Sequence, residues 1–142
     1  MTSETYRIFC KMQGSNGAYC VAIRNGKLAL ALPNMGDQSQ QWHKEGIDNC
    51  HFMLVDKHTH KVVKFYGNGD QLIMVNRPAK LGKSLSWTEG TEDCGGYTFL
   101  RAPALNMVMD ALGASIHDGA VISVYPKNNP TTDNQLWKFV PV

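Results

Sequence analysis

The sequence predicts an all-β fold built from three similar segments, each of which closes on a tryptophan. Trp42, Trp87 and Trp137 lie 45 and 50 residues apart, which matches the period of about 20–50 residues that marks repeat architectures. Each segment also carries one glycine-containing turn dipeptide well before its tryptophan, and no stretch sustains a helical period of about 3.6 residues. The turn dipeptides are Asn25-Gly26, Asn68-Gly69 and Asp118-Gly119.

Short runs of β-branched, aromatic and aliphatic residues lie around these turns and are typical of strands. They cover residues 6–10, 19–23, 27–32, 52–55, 61–65, 72–75, 97–100, 107–111 and 121–125. With the tryptophan segments they give roughly four strands per repeat and about twelve in all, as in all-β barrels and sandwiches. Threefold repetition favours the barrel, so we expect a pseudo-threefold β-trefoil spanning residues 1–142, with repeats at approximately 6–45, 50–90 and 97–140. The three tryptophans should fill its interior rather than form a ligand platform.

Length and composition are those of one globular domain. The chain has 142 residues, 43% hydrophobic and 18% charged, with a net charge of +2. Its basic residues are spread along the chain, whereas nucleic-acid-binding proteins usually gather them on one face, so we expect no nucleic-acid partner. The N-terminus has no apolar leader-like segment and nowhere do 18 apolar residues run together, so neither secretion nor membrane insertion is expected.

The four cysteines are too sparse for a disulfide scaffold and form no C-x-x-C pair. Cys10 and Cys20 would face each other in a hairpin centred on Ser15, at a separation of about 4.5–5.5 Å that a disulfide can span. A reducing cytosol opposes that bond, so the sequence leaves the disulfide open.

The tryptophan segments and their flanking residues resemble the ricin-B-type lectins, whose repeats end in Gln-x-Trp, and among these the Euonymus-lectin-like family of plants. The similar stretches are Tyr6-Arg7-Ile8-Phe9-Cys10, Tyr19-Cys20-Val21-Ala22-Ile23-Arg24-Asn25-Gly26, Gln41-Trp42-His43-Lys44-Glu45, Leu85-Ser86-Trp87-Thr88-Glu89 and Asp133-Asn134-Gln135-Leu136-Trp137-Lys138. The resemblance implies a sugar-binding plant lectin of cytoplasm and nucleus, associated with stress responses, whose partners are glycans or glycoproteins. It implies neither a cofactor nor a metal.

In the sugar-holding repeat of the ricin-B group, an aspartate, an aromatic residue and an Asn-Gln pair surround the ligand. The resemblance places these on Asp110, Tyr125, Asn134 and Gln135. The set suits a pyranose, because a carboxylate accepts hydrogen bonds from two neighbouring hydroxyls, an aromatic ring covers a C–H face, and amides fix the orientation. An aspartate within an apolar strand is also costly without a use. We therefore predict one sugar site, for a galactoside or a mannose-containing glycan, in the third repeat.

The other two repeats lack most of this set, and whether either keeps a weak site stays open. In the first repeat the corresponding residues are Ala22, Leu32, Ser39 and Gln40. In the second, they include Lys64, Ser84 and Leu85, and no aromatic residue follows the third strand.

Residues beside the predicted site leave the identity of the sugar open. The connection from Asp110 to Asp118 is shorter than the corresponding family loop, and tyrosine stands where tryptophan is usual. Asp118, Lys127 and Asn128 flank the site and could shape selectivity, although a turn residue and a solvated loop are the favoured explanations for all three.

Alternative chemistries find less support. His58 and His60 flank a polar turn without a second pair at metal-ligand spacing. No nucleophile elbow, His-Glu-x-x-His motif or isolated carboxylate pair is present, so we do not expect an enzyme. The remaining alternative is a trefoil that binds proteins, for example a protease inhibitor, through its surface loops. A homodimer is compatible with either function.

Overall fold

Twelve short strands and four 3₁₀ turns make up the part of the chain that the structure, a computed structural model, describes, namely residues 4–142. The predicted all-β trefoil is confirmed. Residues 1–3, on which part of the expectation about a leader rests, lie outside the described residues. The strands are β1 Tyr6–Cys10, β2 Cys20–Arg24, β3 Lys27–Ala31, β4 Trp42–Gly46, β5 Phe52–Asp56, β6 Val62–Lys64, β7 Ile73–Val75, β8 Thr88–Glu89, β9 Leu100–Ala102, β10 Met107–Ala111, β11 Ile122–Tyr125 and β12 Trp137–Pro141. The 3₁₀ turns are Gln38–Gln40, Lys83–Leu85, Leu112–Ala114 and Asp133–Gln135.

Six of the strands pair around a closed ring and form the barrel. β1 pairs with β12 and β4, β4 with β5, and β8 with β9. Bridges from Phe52 to Trp87 and from Thr98 to Trp137 complete the ring. Closure leaves no free sheet edge along the barrel, which removes a site for unwanted strand pairing.

The other six strands form three hairpins that cap one end of the barrel. The hairpins are β2–β3, β6–β7 and β10–β11. They contact one another through the pair Lys27 and Ile73 and through bridges from Ala29 to Val121 and from Gln71 to Ser123. Each hairpin therefore belongs to one repeat and is held in place by pairing with the hairpins of the other two.

The three tryptophans are fully buried in the core, as expected. Trp42 Nε1 donates to Val21 O at 3.1 Å, and Trp137 Nε1 donates to Met109 O at 3.0 Å. Trp87 Nε1 has no hydrogen-bond partner, and its ring instead packs edge-on against Phe65. The matching bonds of Trp42 and Trp137 align Val21 with Met109, and therefore Ala22 with Asp110, in three dimensions.

The turn predictions hold to different degrees. Asn25 and Gly26 have φ of +54° and +75° and form a two-residue turn between the paired residues Arg24 and Lys27. Gly69 and Gly119 also have positive φ, but they lie within longer connections that join β6 to β7 and β10 to β11. The predicted strand at 97–100 is wrong in its bounds, because β9 begins only at Leu100.

The expected facing of Cys10 and Cys20 is also wrong. Cys20 pairs with Phe9, and the Cys10 amide donates to Tyr19 O, so the hairpin register is one residue away from the symmetric one. Because side chains alternate between the two faces of a strand pair, that shift sends the two sulfurs to opposite sides. All four cysteines are free thiols, and burial raises the pKa of the Cys10 and Cys20 thiols to about 12.

Candidate functional site

The predicted site residues of the third repeat come together at the open side of the β10–β11 hairpin. Asp110 is the fourth residue of β10 and pairs with Ser123. Tyr125 ends β11 and is 43% exposed. Asn134 and Gln135 belong to the 3₁₀ turn that leads directly into Trp137, so burial of that tryptophan fixes the position of both amides.

Asp110 is almost fully buried, at 3% exposure, and two amides hold its carboxylate. Gln135 Nε2 donates to Asp110 Oδ2 at 2.8 Å, and Asn134 Nδ2 donates to the same oxygen at 3.3 Å. Among the described residues no hydrogen bond reaches Asp110 Oδ1. One carboxylate oxygen is thus fixed by two amides, while the other has no hydrogen bond from the described residues.

Burial raises the pKa of Asp110 above its ordinary value, because the charged form loses solvation. The hydrogen bonds from Gln135 and Asn134 act in the opposite direction and lower it, in that order. Desolvation outweighs them. A carboxylate with little competing water and one free oxygen is a strong acceptor for ligand hydroxyls.

Gln135 has a structural function as well as its contact with Asp110. Its Nε2 donates to Pro126 O at 2.9 Å, and its Oε1 accepts from the Asn128 amide at 2.8 Å. Gln40 makes the same two contacts in the first repeat, to Leu32 O and from the Asn34 amide, both at 2.9 Å. Gln135 is fully buried and contacts Asp110 Oδ2 from below the surface.

Asn134 is held by a chain of polar contacts that extends toward the surface. Asn128 Nδ2 donates to Thr132 Oγ1 at 2.7 Å, and Thr132 Oγ1 donates to Asn134 Oδ1 at 2.6 Å. Asn134 Nδ2 also donates to Ala111 O at 3.2 Å. Each end of the Asn134 amide therefore has protein partners, which fix the rotamer that supports Asp110.

These groups line an open cleft of about 400 Å³. Three of the four predicted site residues, Asp110, Tyr125 and Asn134, line it, whereas Gln135 lies beneath it. Sequence reasoning missed five of its residues. The full lining comprises Met12, Asp110, Leu112, Gly113, Ala114, Tyr125, Asn128, Thr132 and Asn134.

Of the three flanking residues, only Asn128 lines the cleft. Lys127 places its Nζ over the Phe99 ring, 4.4 Å from the centroid. Asp118 lies in the turn before Gly119, where its backbone oxygen is 3.0 Å from His117 Nδ1.

No protein-family model matches the chain. Two curated relatives are the ricin B-like lectin R40C1 of Oryza sativa subsp. japonica, 30% identical over 96% of this chain, and the ricin B-like lectin EULS3 of Arabidopsis thaliana, 29% identical over 96%. The chain spans less than half of these relatives, 43% and 47% of their lengths. The resemblance to the ricin-B-type β-trefoil lectins is confirmed.

Solved structures share the β-trefoil fold over nearly the whole chain. The designed threefold-symmetric protein ThreeFoil superposes with a TM-score of 0.81 at 22% identity, covering 97% of this chain and 99% of that one. The ricin B-like lectin of Macrolepiota procera, solved with lactose, gives 0.73 at 16% identity, covering 98% and 96%. At these identities the likeness establishes the fold alone.

The first repeat of this β-trefoil fills the equivalent place with an ion pair. Ala22 stands at the position of Asp110, and Arg24 reaches across to Asp37 Oδ2 at 2.9 Å and to Ser39 Oγ at 2.9 Å. Asp37 Oδ2 also accepts from Gln40 Nε2 at 3.3 Å. The acceptor that Gln135 finds in Asp110 is therefore supplied here from the surface loop, where arginine already neutralises it.

The second repeat of the trefoil has no comparable polar set. Lys64 stands at the Asp110 position and extends its Nζ over the Tyr66 ring, 4.9 Å from the centroid. Leu85 replaces the buried glutamine and packs in a separate apolar cluster with Met53 and Val62. An apolar residue in that place removes both the donor for a strand carboxylate and the acceptor for the loop amide.

Two further features of the trefoil bear on other functions. No group of three or more His, Cys, Asp or Glu side chains is placed to hold a metal ion within residues 4–142. In the same range, the structure has no helix of the length and apolar character needed to cross a membrane.

Proposed function

We propose that the chain is a carbohydrate-binding lectin with one complete sugar site, in the cleft of the third repeat. The observation that carries the proposal is Asp110, a buried carboxylate with one oxygen fixed by two amides and the other free of protein hydrogen bonds. Such an acceptor, beside a half-exposed tyrosine ring, matches a pyranose that offers vicinal hydroxyls on one side and C–H bonds on another.

Each residue has a distinct part in the proposed complex. Asp110 accepts hydrogen bonds from two neighbouring hydroxyls, and the Tyr125 ring covers a C–H face of the sugar. Asn134 and Asn128 border the ring edge, and Gln135 positions the carboxylate without touching the ligand. The names of the relatives as lectins support this assignment, and a galactoside or a mannose-containing glycan is the ligand class we propose.

One open cleft should bind a simple sugar weakly, with a dissociation constant near 1 mM, or about −4 kcal/mol. Multivalent glycans or a homodimer would raise avidity, since linked weak sites gain about 10²- to 10⁴-fold. The resemblance also supports residence in cytoplasm and nucleus, which a fluorescent fusion of the whole natural protein would test.

The test is a glycan array probed with wild type, Asp110→Asn and the matched control Asp118→Asn. Asp118 is exposed and lies outside the cleft lining. We expect wild type and Asp118→Asn to give signals on galactose- or mannose-containing glycans, and we expect Asp110→Asn to give none. Equal signals from all three proteins would relocate the site. No glycan signal, together with protein capture that free galactose and mannose do not compete, would favour the protein-interaction alternative instead.

A further inference from the structure

One wall of the third-repeat cleft includes a residue of the first repeat, Met12. Met12 lies in the connection from β1 to β2 and lines the cleft beside Leu112 and Ala114. It is half-buried and packs against the main core. A sugar held by Asp110 therefore lies next to a methionine that belongs to another repeat.

Two contacts fix the position of Met12. Its amide donates to Asp133 O at 3.3 Å, beside a bond of 2.9 Å from the Lys11 amide to Leu136 O. On the other side, Gly14 approaches so closely that a Cβ there would lie 2.6 Å from Ile116 O. The connection is thus held between the 3₁₀ turn that carries Asn134 and the loop that carries Ala114.

The equivalent position differs in the second repeat. The Lys57 amide donates to Gln41 O at 3.1 Å, as the Lys11 amide does to Leu136 O, which aligns His58 with Met12. His58 uses its ring for a contact of 2.9 Å with Gln41 Oε1. Met12 instead places an apolar, unbranched side chain next to Asp110 and its amide partners. Its flexible thioether can adapt to ligand groups of different shape.

The cleft also has an apolar part beside its polar groups. Met12, Leu112 and Ala114 offer no hydrogen-bonding side chain, and Tyr125 already provides the plate for a C–H face. Pockets of about 300–1,000 Å³ hold drug-sized ligands, and this cleft measures about 400 Å³.

We propose that Met12 is a specificity-determining residue, and that the site prefers sugars carrying an apolar substituent, which packs on Met12, Leu112 and Ala114. The proposal rests on the proposed sugar site. The substituent is an aryl aglycone or the methyl of an N-acetyl group, two sources of the same apolar chemistry.

The experiment measures dissociation constants by NMR titration for three glycosides of galactose and of mannose. The methyl glycoside is the reference, and the para-nitrophenyl glycoside and the methyl glycoside of the N-acetylhexosamine are the two arms. We expect wild type to bind at least one substituted sugar about fivefold more tightly, as expected from burying a few tens of Å² of apolar surface. The arm that shows the gain identifies the substituent.

Met12→Gln keeps the length of the side chain and removes its apolar character. It should reduce the preference to about onefold and leave the methyl glycoside within about twofold, because an amide offers no gain on burial. Met12→Leu should retain the preference. The matched control is Met35→Gln, at a residue 90% exposed in a first-repeat loop, which should change neither value.

The outcomes separate this proposal from the previous one. If the methyl glycosides bind in an Asp110-dependent way but no substituted sugar gains affinity, or the gain survives Met12→Gln, the sugar site stands and the role of Met12 is refuted. If no glycoside binds wild type, both proposals are overturned. Gly14→Ala gives an independent check, because displacing the connection should lower the preference without replacing Met12.

Discussion

Replacing Asp110 with asparagine should separate sugar binding from folding. Asparagine has the same shape, so its amide oxygen can accept from Gln135 Nε2 and Asn134 Nδ2 as Oδ2 does now. Its NH₂ group then takes the place of the free Oδ1. The fold keeps its hydrogen bonds while the cleft loses both a negative charge and an acceptor.

The size of the binding loss follows from the number of sugar hydroxyls that donate hydrogen bonds to the carboxylate. Hydrogen bonds to charged groups contribute about 1.5–3 kcal/mol, against about 0.5–1.5 kcal/mol for neutral ones. Two such bonds weakened by about 1–1.5 kcal/mol each correspond to a loss of about 30- to 150-fold. A dissociation constant near 1 mM would then rise beyond about 30 mM, outside the range of an NMR titration.

Stability should change little or improve, because folding desolvates the charge of Asp110 and raises its pKa. Urea unfolding followed by tryptophan fluorescence at pH 7 should give a free energy of unfolding for Asp110→Asn within about 1 kcal/mol of wild type, as for a replaced neutral hydrogen bond. A variant that binds sugar within threefold of wild type would refute the role of the carboxylate. If the free energy of unfolding of Asp110→Asn fell by several kcal/mol, the claim that asparagine keeps the hydrogen bonds from Gln135 and Asn134 would be refuted.

Three further predictions concern pH and the buried polar groups. The folded pKa of Asp110 is raised, so protonation of Asp110 favours the folded state, and the stability that Asp110 contributes falls as pH rises from the unfolded to the folded pKa. Sugar binding needs the ionised carboxylate and should be lost as pH falls through the folded pKa. A sugar affinity that is unchanged between pH 7 and pH 3 would contradict this prediction. Gln135→Leu and Gln40→Leu should each destabilise the protein by about 1–3 kcal/mol, since each removes two part-buried hydrogen bonds, one to a loop amide and one to a loop carbonyl. Sugar titrations should nevertheless weaken mainly for Gln135→Leu, and equal effects of the two variants on binding would exclude the positioning of Asp110 by Gln135. Trp137→Phe should cost about 1 kcal/mol more than Trp87→Phe in chemical denaturation, because only Trp137 Nε1 loses a hydrogen bond; a reversed order would show that packing around the rings decides the difference.

The scaffold was accessible from the sequence because its signals are local. The spacing of the tryptophans reports their equivalent positions in the barrel, and Asn25-Gly26 encodes a turn that only residues tolerant of positive φ form readily. The bounds of β9 were missed because the aromatic run 97–99 has strand propensity, while the backbone bridges only at Thr98 before Leu100 begins the strand. Strand propensity indicates which residues suit a strand, but it does not indicate where a neighbouring strand is present to pair with them.

The candidate site was accessible where its residues share one repeat and inaccessible where they do not. Asp110 and Asn134 could be identified because an aspartate in an apolar strand and an amide before a buried tryptophan are visible in sequence. Met12 could not, since its closeness to Ala114 depends on how the first repeat packs on the third. The slip of the Cys10–Cys20 hairpin has the same origin: register is decided by which face is buried, and Cys10 shares the core with Tyr19.

The comparison of Gln135 with Gln40 shows which features of the repeat can indicate function. In both repeats a buried glutamine two residues before the tryptophan bonds the amide and the carbonyl of the loop that follows the hairpin, so its presence follows from folding alone. Gln40 satisfies the same groups in the first repeat, where Arg24 and Asp37 occupy the place that the cleft has in the third. What distinguishes the third repeat is that the acceptor for the glutamine comes from a strand of the cap hairpin, as Asp110, and that one of its oxygens has no hydrogen bond from the described residues. The functional assignment therefore depends on the origin of that acceptor, and a Gln-x-Trp ending by itself identifies only the fold.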